Sequence, residues 1–474
     1  MIQARLSSVL HLVGGDLASR ALALVAFVYI ARVVGADRFG TLEFAVSSLA
    51  YFLLLGDCGL EIWAIRATAM GLPVPHTAAR VLALRILLSL LSYAVLFAIT
   101  PAMPDYPRLP LMLLLFGLAL IPQALNLKWV YVGRERMRTA AGGLLAAQIV
   151  FAAIVLIALR DPNNILWVPV ARVLSELAGA VYFAVLYVRE YGLPSLQLFG
   201  SESIGVLRGA LAVGAVQGIG LLSYNFDMLL LGFLRTAADV GWYSAAYKPV
   251  TVALALPLAC FGALFPGLAR AHAAGKEQMI QLVRRSLRLT TALVLPVGIL
   301  GSFLAGPAVI LLFGAEYDRA AAPLQILCWS AVLVTIRSNF KHSLTAGRHS
   351  AVDLKSSSVA IAVNIILNLL FIPVWGAPGA AVATVISDIV WLSLAAAFFH
   401  SHIGSVGFWS ALSKPAAAAV VMSACLFFTE ALPAWERATF AVLVYAGTLV
   451  LLFKRLDYDL GDIAAPDTSV SLTD

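Results

Sequence analysis

Arg20, Arg172, Lys248 and Arg337 stand inside stretches of sequence that are otherwise apolar. A cationic side chain held in hydrocarbon costs at least about 2.5 to 3.5 kcal/mol on insertion scales, so each is expected to face a polar cavity or an acidic partner. A wet, positively charged chamber inside a helical bundle suits the passage of an anion, which makes these four the candidate substrate-binding residues. Arg337 lies too deep to reach a headgroup layer easily, whereas Arg20 is near enough to the end of its stretch to snorkel. Lys248 precedes Pro249, with Pro257 beyond; the prolines weaken backbone hydrogen bonding in the helix that carries the charge and suit it to gating. Arg172 stands four residues before Glu176, so an intrahelical ion pair and a substrate contact are both open.

Among the acids, Asp57 and Glu61 are also four apart, and two like charges on one helix face leave room for one to be protonated. Asp57, Glu176, Asp227 and Asp388 form the candidate ion-coupling set; Asp227 and Asp388 can each pair with a cation from another helix or bind H⁺ or Na⁺. No Ser-His-Asp set, Walker loop or paired-carboxylate hydrolase site stands in a fitting context. Cys58, Cys260, Cys328 and Cys425 are scattered singly, and His342, His349, His400 and His402 fall at helix ends, so neither a metal site nor a cofactor is expected.

The elements that must position these residues are membrane helices. The chain has 474 residues, 61% hydrophobic and 12% charged, where about 45–50% apolar is usual for a soluble globule. An all-α polytopic membrane protein is expected, with about 14 transmembrane helices. The spans run near 13–31, 41–63, 79–100, 109–130, 140–159, 165–188, 209–234, 241–266, 289–313, 323–346, 351–373, 377–399, 410–430 and 434–453. If the N-terminus is cytoplasmic, the outer loops carry only Arg32, Arg38, Arg108, Arg160, Arg235, Arg319 and Arg437, and the other flanking cations, Arg80 and Arg85 among them, lie inside. That bias predicts a multi-pass membrane protein with both termini cytoplasmic. The net charge of +7 thus records topology and contact with anionic lipid, not nucleic-acid binding. The first stretch, with Asp16 and Arg20 and no small-residue cleavage site, reads as a retained helix.

Val33–Ala45 and Leu234–Ala246 resemble each other, with Gly40 and Gly241 aligned at an offset of 201. An even number of spans between the copies makes the repeat parallel, with its axis along the membrane normal. The expected organisation is a six-helix lobe over 1–200, a second over 201–400, two extra helices over 401–456 and a disordered cytoplasmic tail over 457–474. Residues 189–208 read as the linker, and 268–288 as a basic helix on the membrane surface or a solvated connector. Gly214 and Gly218 form a GxxxG pattern that lets helices approach closely. The outer loops are too short for the extramembrane domain of a sugar transferase or polymerase.

Asn126-Leu127-Lys128-Trp129-Val130-Tyr131-Val132-Gly133-Arg134-Glu135-Arg136-Met137 resembles the inner-loop signature of bacterial oligosaccharide flippases. Asp227–Gly232 running into Val240–Tyr243, Ala346-Gly347-Arg348, and Asn364–Pro373 followed by Gly376–Thr384 are similar to the same family, which belongs to the multidrug, oligosaccharidyl-lipid and polysaccharide exporter superfamily. The resemblance implies two six-helix lobes around a central cavity and two further C-terminal helices. It also implies a lipid-linked oligosaccharide, an undecaprenyl-pyrophosphate-linked sugar unit, as cargo, flipped to the periplasmic leaflet for O-antigen, capsule or exopolysaccharide assembly. Membrane lipids, H⁺ or Na⁺, a polysaccharide polymerase and chain-length proteins are the partners that go with it. An ion-coupled multidrug or organic-cation antiporter of the same superfamily is the alternative.

Overall fold

The computed structural model describes residues 2–193, 201–347 and 349–454, without the side chains of 2–21 and of scattered positions, most of them between 255 and 269. Part of the linker, Arg348, the tail over 457–474 and the side chains of Arg20 and Cys260 therefore lie outside the described residues. Every described element is helical. In an apolar solvent a backbone can satisfy its own polar groups only in helices or closed barrels, and these sequences lack the alternation a barrel needs.

α1 (Ile2–Asp57) is two arms joined at Gly35, where φ is 78°. The chain folds back there, bringing the rings of Phe27 and Phe39 to 4.6 Å; glycine is suited to that backbone region because it has no Cβ. α2 (Leu60–Ala69) extends the second arm beyond a break at Cys58 and Gly59, both left-handed with φ 47° and 83°. α3 (Val74–Ile99) is the third span, and α4 (Leu109–Gly117), α5 (Leu120–Ala124) and α6 (Lys128–Gly133) are an interrupted fourth. α7 (Met137–Ala158) and α8 (Trp167–Tyr191) complete the first lobe.

The second lobe holds α9 (Ser201–Leu234), the pair α10 (Ala237–Ala253) and α11 (Ala255–Ala274), α12 (Lys276–Phe313), α13 (Ala321–Ala346), α14 (Ser350–Trp375) and α15 (Ala377–His402). α16 (Phe408–Phe428) and α17 (Ala434–Lys454) pack together against α12 through Ile299, Met422, Leu426 and Tyr445. Among the described residues ten helices are long and apolar enough to cross a membrane. The remaining expected spans fall on the two arms of α1, on α4–α6 and on α10–α11. The basic segment 268–288 is no separate surface helix: it is the end of α11 and the start of α12, and Arg284 Nε donates to the Val406 carbonyl at 2.6 Å.

An even number of crossings brings Ile2 and Lys454 to one face, the termini face. At the opposite, far face, the lobes meet along a seam of equivalent residues. A methyl group on Gly40 would overlap the Ala237 carbonyl oxygen, and one on Gly241 would overlap the Ala36 carbonyl oxygen. Ser244 Oγ donates to Glu43 Oε2 at 2.8 Å, a pair 201 apart. Tyr106 donates to the Gly232 carbonyl at 2.6 Å while Tyr317 donates to that of Ala31, its equivalent, at 2.9 Å. Ser47 reaches Met228 where Lys248 reaches Phe27. Such reciprocity is the geometry of a two-fold interface, here within one chain. Toward the termini face, Gly214 of the GxxxG pattern lies against Cys58 and Gly59 of the broken second span.

Overpacking at such a backbone contact costs about 1–3 kcal/mol. Gly40→Ala is therefore expected to melt at a lower temperature in detergent, while Gly447→Ala, with open space around it, melts with the wild type. Wild-type melting of Gly40→Ala would show that the two helices do not touch at the backbone.

Candidate functional site

Lys248 sits on α10 at the lobe seam. Its Nζ lies 3.2 Å from Glu43 Oε2 on α1 and 4.4 Å from the centre of the Phe27 ring. Glu43 is only 3% exposed, so the ammonium and the Ser244 hydroxyl are what make its carboxylate tolerable there. Pro249, which removes a backbone donor, is next in the chain and inside the helix.

A recess opens within the second lobe, lined by Tyr247, Arg337, Asn364, Thr384, Asp388 and Trp391 among others. Arg337 on α13 donates from Nη1 to Asp388 on α15 at 3.0 Å, and Ser330 donates to the other carboxylate oxygen at 2.5 Å. The guanidinium carbon lies 3.4 Å from the centre of the Trp391 ring. Asp227 on α9 lines the same recess on different terms. It accepts from Tyr243 at 2.9 Å, Thr384 at 2.7 Å and Asn368 at 2.7 Å, and among the described residues no Lys, Arg or His pairs with it. Asp388 carries its own cation, whereas Asp227 is held by neutral donors alone.

In the first lobe Arg85 is 1% exposed and lies 3.0 Å from Asp57 and 4.0 Å from Glu61, while Lys128 lies 2.7 Å from Glu61. The two acids four residues apart are thus matched by two cations from other helices, and Arg85 is a buried ion-pair partner, not a solvated flank. Arg172 pairs with Glu176 at 2.7 Å within α8, with 44% of its side chain exposed. In the signature loop Arg136 bonds Glu190 at 2.5 Å, which holds its guanidinium above the usual range, and Arg134 caps the Tyr191 ring. The loop is therefore fastened to the end of α8.

Residues 6–272 match the profile of the polysaccharide biosynthesis protein family. The chain belongs to that family. Residues 242–450 match the profile described as lipid II flippase MurJ. An Escherichia coli K12 protein named as an O-antigen transporter is 21% identical over 80% of this chain and 93% of its own length. A Haloferax volcanii protein named as the low-salt glycan biosynthesis flippase Agl15 is 25% identical over 51% of this chain and 53% of its own. The chain thus spans about half the length of the first curated relatives it matches. A solved lipid II flippase MurJ in an inward closed conformation superposes with a TM-score of 0.80 at 13% identity, over 94% of this chain and 99% of that one. A multidrug resistance MATE family transporter facing inward superposes at 0.64 and 14% identity, over 84% and 95%. These two likenesses are of fold.

The three candidate intramembrane cations whose side chains are described lie in different places. Lys248 is at the seam, Arg337 in the recess of the second lobe, Arg172 on an exposed face of α8, and the side chain of Arg20 is outside the described residues. Glu43 stands outside the candidate sets read from the sequence, and Arg85 counts there only as an inner flanking cation. The available signal for Glu43 is a lapse in the repeat, since its equivalent is Ser244; for Arg85 it is a position six residues past the start of its expected span. Removing one member of a buried pair strands the other charge at a cost of about 3–5 kcal/mol. Arg85→Met should lower the melting temperature strongly and the double variant Arg85→Met, Asp57→Asn should recover part of the loss; no recovery would show that Arg85 does not answer to Asp57.

Proposed function

We propose that the chain is a carrier, not an enzyme, that flips a lipid-linked oligosaccharide, an undecaprenyl-pyrophosphate-linked unit, from the cytoplasmic to the periplasmic leaflet. The two lobes, 1–200 and 201–400, rock about their seam so that access alternates while the lipid tail stays in the bilayer. The observation that carries this reading is the Lys248–Glu43 pair: an ammonium on a proline-bearing helix, held by a carboxylate of the opposite lobe, at the place where the lobes must part. Parting the lobes separates the pair and frees the ammonium for a phosphate of the cargo. The family match and the resemblance to named flippases support the cargo class, and the bias of Lys and Arg supports cytoplasmic termini.

Coupling to H⁺ or Na⁺ is assigned to Asp227. A buried carboxylate held by neutral donors, with no Lys, Arg or His paired to it among the described residues, is stabilised by taking up a cation, whereas Asp57 and Asp388 are already paired with Arg85 and Arg337. A second reading, an ion-coupled antiporter of organic cations, is favoured by one observation: the recess holds two carboxylates against a single guanidinium.

In proteoliposomes carrying a fluorescent sugar linked to polyprenyl diphosphate, Lys248→Ala is expected to slow flipping at least about tenfold, since a hydrogen bond to a charged group is worth about 1.5–3 kcal/mol. Asp227→Asn should leave the rate indifferent to imposed Na⁺ and H⁺ gradients. Wild-type flipping by Lys248→Ala, or efflux of a cationic dye with no flipping at all, would contradict the flippase.

A further inference from the structure

We propose that Arg337 and Lys341 form a phosphate-accepting site in the second lobe, apart from the seam, in which Asp388 and Asp353 occupy the anion's place while it is empty. The inference rests on the flippase reading and assigns the phosphate chemistry of the cargo to a second station.

Arg337 and Lys341 are one helical turn apart on α13, about 6 Å along the axis, a spacing that a diphosphate can bridge. Both cations lie over one indole, with Arg337 3.4 Å and Lys341 5.7 Å from the centre of the Trp391 ring. The indole is itself anchored, its Nε1 donating to Asp353 at 3.3 Å. Each cation is neutralised from a neighbouring helix, but only partly. Arg337 uses Nη1 on Asp388 and leaves its Nε buried with no acceptor. Lys341 stands 3.7 Å from Asp353, too far for a good hydrogen bond, with 41% of its side chain exposed.

A guanidinium offers a planar fork that phosphate fills from two donors at once, and a monodentate carboxylate does not. The unused Nε–H is therefore a donor awaiting an acceptor, in a residue 3% exposed that borders an open recess. When the guanidinium turns to the anion, Asp388 keeps the Ser330 hydroxyl but loses its cation, a cost that the charge-assisted bonds to the phosphate must offset. Access is graded as well. Lys341 is five residues from the end of α13 at the termini face and half out of the protein, and Arg337 is one turn deeper, so an anion meets the exposed ammonium first and the buried fork second.

The test uses the full-length protein in detergent, with binding followed through tryptophan fluorescence, since Trp391 is stacked under both cations. The probes are farnesyl diphosphate, inorganic pyrophosphate and farnesol. Farnesyl diphosphate is expected to bind and farnesol not; pyrophosphate binding as tightly as farnesyl diphosphate would identify the anion alone as the ligand, and weaker binding would identify the lipid-borne headgroup. Asp388→Asn, which keeps shape and the Ser330 contact while releasing the guanidinium, should bind farnesyl diphosphate about tenfold tighter. Lys341→Gln, at a half-exposed position where folding is not at stake, should bind it about tenfold more weakly. Unchanged affinity in both variants, with unchanged melting of Lys341→Gln, overturns the site and leaves the flippase reading standing. A wild-type protein that binds no diphosphate probe overturns both.

Discussion

A charge inside the bilayer must be answered by the protein, because lipid offers it no partner, and this requirement organises the whole molecule. Lys248 answers to Glu43, Arg337 to Asp388, Arg85 to Asp57 and Lys128 to Glu61. Each of these pairs ties two different helices. Pairing also differs in completeness from site to site, and the differences carry the functional meaning. Arg85 and Lys128 are spent on acids within the first lobe, where they brace a span broken by two left-handed residues. Lys248 is paired across the seam, so its partner is lost when the lobes part. Asp227 has no cationic partner among the described residues.

The seam explains how a membrane protein with few charges is tightly closed at its far face. Gly40 and Gly241 bring two helices to backbone contact, and Tyr106 and Tyr317 each clasp the last turn of a helix in the opposite lobe. These contacts are short and directional, and the glycines and the two carbonyl acceptors are related by the offset of 201. A seam of this kind releases as a unit, because once the helices separate, both tyrosines and the Lys248–Glu43 pair lose their partners together. The proline-bearing α10 lies in the middle of it, and Pro249 removes one of its backbone donors.

Much of this was legible in the sequence. Hydropathy marked the spans because the bilayer demands about 20 apolar residues in a row, and the Gly40 and Gly241 segments disclosed the repeat whose copies turn out to face each other. The GxxxG pattern of Gly214 and Gly218 pointed to close helix packing, and Gly214 indeed lies against Cys58 and Gly59. What could not be read was which acid meets which cation. Arg337 and Asp388 are 51 residues apart and Lys248 and Glu43 about four times as far, and sign complementarity alone does not choose among partners at those distances. The break at Cys58 was invisible for another reason: no proline marks it, and it is held by tertiary contact with Gly214. Residues 268–288 look like a surface helix because their basic residues gather at helix ends on the termini face, where two long spans begin and finish.

The central claim is that the lobes must part at the far-face seam for cargo to cross. Asp37 and Ala238 are equivalent positions flanking that seam, and neither contacts the Lys248 or Asp227 sites. The direct test is transport by the double variant Asp37→Cys, Ala238→Cys in proteoliposomes, before and after joining the two thiols with a short reducible cross-linker. The account predicts flipping by the unlinked protein, arrest on linking and recovery on reduction. Flipping that continues with the link in place would contradict it.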